Sequence, residues 1–315
     1  MLRRALGGAA QTAFTLIVLL SLAPWSQGAA DAGRVVVVYA AGVQAYAEAV
    51  EGIQTGLGDG AATILDLNSQ DHDAALQRIR NRLNIVIIAV GADAFQALSL
   101  LKPVAPVVAT MMLHENEMLP AGGTSPGFRP AASVHLDLSA PALLAELGNV
   151  FPGKNRLGVI RNPARAWAFD LNTAGKASQQ GFTVQIAECS QPEELLRSML
   201  SLKGKVDFVL VLPDSSLYNS TTVKPLVLAS LENRLPLVGF SASFVRSGAA
   251  IGVYPDFRDI GLQTAELAQN LLAKRLNHAV DEGPRKWTVA LNQRALRLLG
   301  LEHGATRNAE LVLIR

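Results

Sequence analysis

The stretch 206–216, VDFVLVLPDSS, sets a carboxylate and two hydroxyls directly after a long apolar run. Ionised Asp214 can only accept hydrogen bonds, whereas Ser215 and Ser216 can both donate and accept. A continuous apolar run halted at a proline reads as a strand buried on both faces. Open α/β sheets bind ligands at the carboxyl ends of such strands. Asp214 and its neighbours are therefore the first expected binding site. The competing role for Asp214 is to cap the turn that follows.

Other reactive residue types point to little chemistry. The only cysteine, Cys189, ends the expected strand FTVQIAEC and is expected to be a buried, inert thiol. His114 and His135 are too isolated in sequence to suggest a zinc site. The turn YAAGVQAY lacks the glycine spacing of a dinucleotide fingerprint, and no GxxxxGK[ST] occurs. Nucleophilic or acid–base catalysis needs partners within hydrogen-bond reach, and the sequence nominates none. The expectation is a protein with no catalytic residue, no metal and no cofactor.

Composition narrows the class further. The 315 residues are 50% apolar, enough for substantial cores. The net charge of +2 includes Arg3 and Arg4, and no basic stripe suggests nucleic acid. Arg3 and Arg4 precede the apolar stretch AFTLIVLLSLA at 13–23, followed by small residues at Ser26, Gly28, Ala29 and Ala30. This is the pattern of a secretory signal peptide, with cleavage expected just before Asp31. The apolar run is short against the roughly 20 residues of a membrane span, so an uncleaved anchor is the secondary reading. An exported chain with a single cysteine has no internal disulfide, and its cores must carry its stability.

The elements that position Asp214 alternate along the chain. Strands are expected at 34–40 (RVVVVYA), 63–67, 85–90 (IVIIAV) and 107–112, with helices between them, the first carrying Val43, Ala47, Val50, Ile53 and Leu57 inward. Between 114 and 130 the periodicity disappears into a long loop. Val134, Leu136 and Leu138 alternate with polar residues as a half-exposed strand leading into a second unit. There, strands at 156–160, 182–187, 206–212, 236–241 and 249–254 alternate with helices at 166–179, 192–202 and 221–233. A helix over 257–276, a strand at 287–291 and a short helix at 293–299 close the pattern. Alternating strands and helices imply parallel sheets covered on both faces.

Several segments resemble the bacterial ABC-transporter substrate-binding proteins of the tryptophan/tyrosine-uptake type. The resemblance runs through YAAGVQAYAEAVEGIQTGL, AVGADAFQAL, VAPVVATMM and NRLGVIRNPA. It is closest in VDFVLVLPDSSLYN, in LPLVGFSASFVRSGAAIGVYPDFRDIGLQTAELAQNLL and in LNQRALRLLGL. It implies an α/β periplasmic binding protein of type I: two Rossmann-like lobes with parallel sheets, joined by a hinge of crossing strands. Residues 31–137 plus 249–281 would form the first lobe, and 138–248 plus 282–315 the second, after a signal peptide at 1–30. The implied role is capture of a small solute, an amino acid and in one branch an aromatic one, in the interlobe cleft. The partners would be that solute and an inner-membrane permease with its ATPase. The alternative is a sensor presenting its ligand to a membrane receptor. A monomer is expected. Asn162-Pro163, Asp214-Ser215, Ser241, Gly248-Ala249 and Tyr254 match the family pattern, whereas Ala40-Ala41, Gly91-Ala92, Leu113-His114 and Ser133-Val134 depart from it.

For an amino-acid ligand, backbone N–H groups at helix starts suit the carboxylate, which nominates Gly42, Gly91, Ala92 and Ser215. Asp214 would take the ammonium group, with Asp256 in reserve. Tyr46 and Tyr254 would enclose the side chain, and Asn162 and Ser241 would complete the polar ring. Each has a structural alternative: capping for Ser215 and Ser241, turn-holding for Asn162, core packing for the tyrosines.

Overall fold

Uninterrupted apolar runs become the central strands. The computed structural model describes residues 33–113, 128–164, 181–214, 216–306 and 309–314. In β1 (Val35–Tyr39), Val35 and Val37 enter one core while Val36 and Val38 enter another. That two-residue period puts side chains on both faces of the sheet, and burial contributes roughly 1.5–3 kcal/mol per side chain. β3 (Val86–Val90) is buried at every position. The remaining strands of this sheet are β2 (Ala62–Asp66), β4 (Val107–Thr110), β5 (Ala132–Val134) and β11 (Val280–Glu282). Their order is β11-β5-β4-β3-β1-β2, with every pair parallel.

The second sheet contains β6 (Arg156–Arg161), β7 (Thr183–Glu188), β8 (Phe208–Val211), β9 (Leu237–Gly239), β10 (Ile251–Pro255), β12 (Trp287–Asn292) and β13 (Glu310–Ile314). Their order is β13-β12-β10-β9-β8-β6-β7. Only the β10–β12 pair is antiparallel. Each face of this sheet also covers a separate apolar core.

Helices α1 (Gln44–Leu57), α2 (His72–Arg80) and α3 (Ala92–Leu101) belong to the first sheet. Helices α4 (Ala140–Val150), α5 (Leu195–Ser201), α6 (Val223–Glu232) and α7 (Ala242–Arg246) accompany the second. The later helix α8 (Phe257–Leu272) returns to the first unit and packs on α1, and α9 (Gln293–Leu299) goes back to the second. The α1–α8 contact depends on glycine: an added Cβ on Gly261 would overlap the Ala49 carbonyl, and one on Gly52 would lie 3.0 Å from the Gly261 Cα.

The chain passes between the sheets three times, at 135–139, at Asp256 and at 283–286. Hydrogen bonds tie the crossings to neighbouring chain: His135 N–H to Glu282 O at 2.9 Å and Asp256 N–H to Lys286 O at 3.1 Å. Gln263 of α8 donates to the Glu282 carboxylate at 2.7 Å and to Gly283 O at 3.0 Å.

Several sequence expectations are corrected. The expected first-lobe segment 249–281 includes β10, which pairs with β9 and β12 in the second sheet, so the chain crosses at Asp256. The half-exposed strand expected from Val134 onward is not formed: β5 ends at Val134, buried at every position between β4 and β11, and 135–138 are a half-buried crossing segment. Val43 and Ala47 are exposed, because α1 turns Ala49, Gly52 and Ile53 inward against α8. β11, β13 and α7 were not expected. The signal peptide expected at 1–30, most of the loop at 114–130 and the helix expected at 166–179 lie outside the described residues.

Candidate functional site

In the second sheet β6 lies between β7 and β8, so the strand order reverses there. Two of the expected site residues follow these strands, and the structure brings them together. Asn162 Nδ2 donates to Asp214 Oδ2 at 3.0 Å, while Asn162 Oδ1 accepts from Ala164 N–H at 3.0 Å. Asp214 Oδ1 accepts from the Ser216 backbone N–H at 2.9 Å and from its hydroxyl at 2.5 Å. The Asp214 carbonyl accepts from Leu217 and Tyr218 N–H at 3.1 and 2.8 Å. Both Asn162 and Asp214 are buried, at 7% and 8% exposure. A carboxylate offers about four acceptor positions; these protein bonds use three. Among the described residues, Asp214 therefore holds its own loop and keeps one position on Oδ2. Ser215 lies outside the described residues.

The other second-sheet candidates do separate jobs. Ser241 starts α7, its hydroxyl accepting from Phe244 N–H at 3.2 Å. Asp256 starts α8, its carboxylate accepting from Asp259 N–H at 2.9 Å. Tyr254 is half-buried near the carboxyl end of β10, its hydroxyl pKa raised by burial and modulated by Arg246 and Glu310. No hydrogen bond joins Ser241, Tyr254 or Asp256 to the Asn162–Asp214 pair.

The first sheet has its own reversal, with β1 between β3 and β2. Gly42 follows β1 with φ +99°, and Gly91 follows β3 with φ +87°. A side chain at Gly91 would collide with Tyr46, whose hydroxyl lies 2.5 Å from the position of an added Cβ. Glycine thus lets the Tyr46 phenol lie against the start of α3, next to Ala92. Among the described residues, no side chain caps α1 or α3. The first turn of α1 has no acidic residue, whereas α3 carries Asp93 there. The α1 start is consequently the more favourable of the two for an anion.

Sequence reading missed the groups that hold this turn. Asp66, at the end of β2, accepts from Ala41 N–H at 3.0 Å and from Asn68 N–H at 2.9 Å. Those two amides hold its carboxyl below the usual carboxylate range. The Asn68 side chain completes the clamp by donating to Ala41 O at 2.7 Å. The D-x-N pattern at a strand end is the signal that could have found them. Ser216 was seen in the sequence but not chosen.

Among the described residues, no group of three or more His, Cys, Asp or Glu side chains could hold a metal ion. None of their helices is long and apolar enough to cross a membrane. Burial raises the Cys189 thiol pKa, which disfavours the nucleophilic thiolate.

Residues 34–302 match the family described as ABC transporter substrate binding protein, and the chain belongs to it. Its fold is the two-lobe α/β fold of type I periplasmic binding proteins. A ligand-free, open substrate-binding protein with adhesive properties from Clostridium difficile is 19% identical, with TM-score 0.64 over 89% of this chain and 99% of that one. A conserved domain protein from Vibrio cholerae is 18% identical, with TM-score 0.55 over 89% and 99%. A Streptococcus pneumonia ABC domain in complex with L-Trp is 16% identical, with TM-score 0.51 over 89% and 100%. Among curated proteins none matches. The family is one of non-catalytic solute binders serving membrane permeases, and it supports a periplasmic location.

Proposed function

We propose that this protein captures a small solute, an amino acid, between its lobes and delivers it to an ABC permease. The observation carrying this reading is the contrast between the two strand-order reversals. One supplies uncapped helix starts beside Gly42 and Gly91, and the other a buried carboxylate with an acceptor position to spare. The solute carboxylate would meet the amides at Gly42 and Ala92; the Gly91 N–H expected beside them is instead donated to Thr110 O at 2.9 Å. Its ammonium group would take the remaining position on Asp214, with Asn162 fixing that carboxylate. A charge-assisted hydrogen bond contributes about 1.5–3 kcal/mol, against roughly 0.5–1.5 for a neutral one, so Asp214 dominates polar recognition. Tyr46 would line the side-chain end. Tyr254 takes part only if the lobes close, and Asp256 and Ser241 act by capping helices.

Export by the signal peptide at 1–30 and a monomeric state belong to the same proposal. The L-Trp held by the streptococcal protein makes aromatic amino acids the first solutes to test. Titration calorimetry with these amino acids, on the parent protein and on Asp214→Ala, is the test. At least a tenfold loss of affinity is expected in the variant. Equal affinity removes Asp214 from the ammonium role.

A further inference from the structure

We propose that the amino-terminal end of the first sheet is a membrane-contact surface for anionic phospholipid headgroups. All six strands of that sheet are parallel, so the loops preceding them meet at one pole, opposite the candidate site. Following the strand order, Lys274 and Arg275 precede β11, Arg129 precedes β5, Lys102 precedes β4, and Arg80 and Arg82 precede β3. All six side chains are exposed, and none has an ion-pair partner among the described residues. Strands about 4.8 Å apart set these cations in a row about 14 Å long.

The opposing charges are weaker. Among the described residues of these loops, Asp59, before β2, is the carboxylate, at the far edge of the sheet. Helices α1, α2, α3 and α8 end at the same pole, each contributing about half a negative charge. The cations exceed both together.

Apolar side chains stand within the row. Leu83 is 68% exposed, Leu100 64% and Val104 62%. Val104 N–H donates to Arg80 O at 3.0 Å, which joins two of the loops. Cations interleaved with exposed aliphatic groups fit an anionic bilayer, where headgroups meet the charges and the aliphatic groups enter the acyl boundary. Arg82 also donates to Gly33 O at 3.3 Å, which ties the start of the fold to this pole.

Vesicle co-sedimentation tests the assignment, using protein purified after export with its N-terminus fixed by mass spectrometry. Vesicles containing phosphatidylglycerol are compared with neutral phosphatidylcholine vesicles. Binding to the anionic vesicles at low salt is expected, with loss at about 0.5 M salt, where screening is nearly complete. Arg82→Glu combined with Lys102→Glu should weaken binding at least tenfold, as should Lys274→Glu with Arg275→Glu. Leu83→Ser with Val104→Ser should weaken it several-fold. Circular dichroism of each variant checks the fold. Equal binding to neutral and anionic vesicles, or charge reversals without effect, overturns the proposal. So does an unchanged serine variant whose binding heparin competes away, which would mark a general polyanion surface.

Discussion

Two aspartates in the second lobe show how the same side chain does different work. Asp207 spends its carboxylate on the fold: it accepts from Asn155 and Arg156 N–H at 3.1 and 2.9 Å, and from the Arg156 guanidinium at 2.9 Å. Burial pushes its pKa up, but the Arg156 guanidinium and the two amides outweigh burial and hold it below the usual carboxylate range. Such a group stabilises the fold above its unfolded pKa, and the contribution is lost as pH falls through the lower folded value. Asp207→Asn should therefore lower stability at pH 7 and flatten its fall between about pH 5 and 2. Urea unfolding across that range is the check, and an acid limb as steep as the parent's would contradict it. Asp214 was legible in the sequence, because polar residues directly follow the apolar run 206–212. Its pairing with Asn162, 52 residues away, comes from the adjacency of β6 and β8. The contact between Tyr46 and Gly91 was hidden in the same way.

At the scale of elements, the sequence was most informative where apolar runs were continuous. β1, β3, β6 and β8 fall within one or two residues of their expected ends, since each is a short run rich in β-branched residues bounded by polar or turn residues. β11 and β13 escaped because one is three residues long and the other follows a polar segment. The face of α1 was misjudged because its contact with α8 is made by small residues, which carry no hydrophobic signal. Gly261→Ala tests that contact. Overpacking of this kind costs about 1–3 kcal/mol, so the denaturation midpoint should drop with an unchanged slope. A midpoint equal to the parent's would mean that α1 and α8 separate without penalty. The basic row was likewise unreadable in sequence, because its charges come from separate loops that only the sheet order aligns.

For the whole molecule, the chain's three passages between sheets make relative motion of the lobes the natural response to a solute. Neither lobe supplies both an uncapped first-sheet helix start and the Asp214 carboxylate, so a ligand engaging both gains most from closure. The family and the two-lobe architecture were legible because ordered segments along most of the chain resemble one family. The solute was not, since the first-lobe turns depart from the pattern, and the one at Ala41 is held by Asp66 and Asn68. The most direct test is thermal unfolding against a panel of amino acids, aromatic metabolites, small peptides and sugars. A ligand that binds only the folded state adds RT ln(1 + [L]/Kd), about 4 kcal/mol when its concentration is a thousandfold above Kd. The account predicts a selective rise in Tm with one amino acid, abolished or strongly reduced in Asp214→Ala. A rise with a sugar and none with any amino acid, or a rise unchanged in that variant, would contradict it.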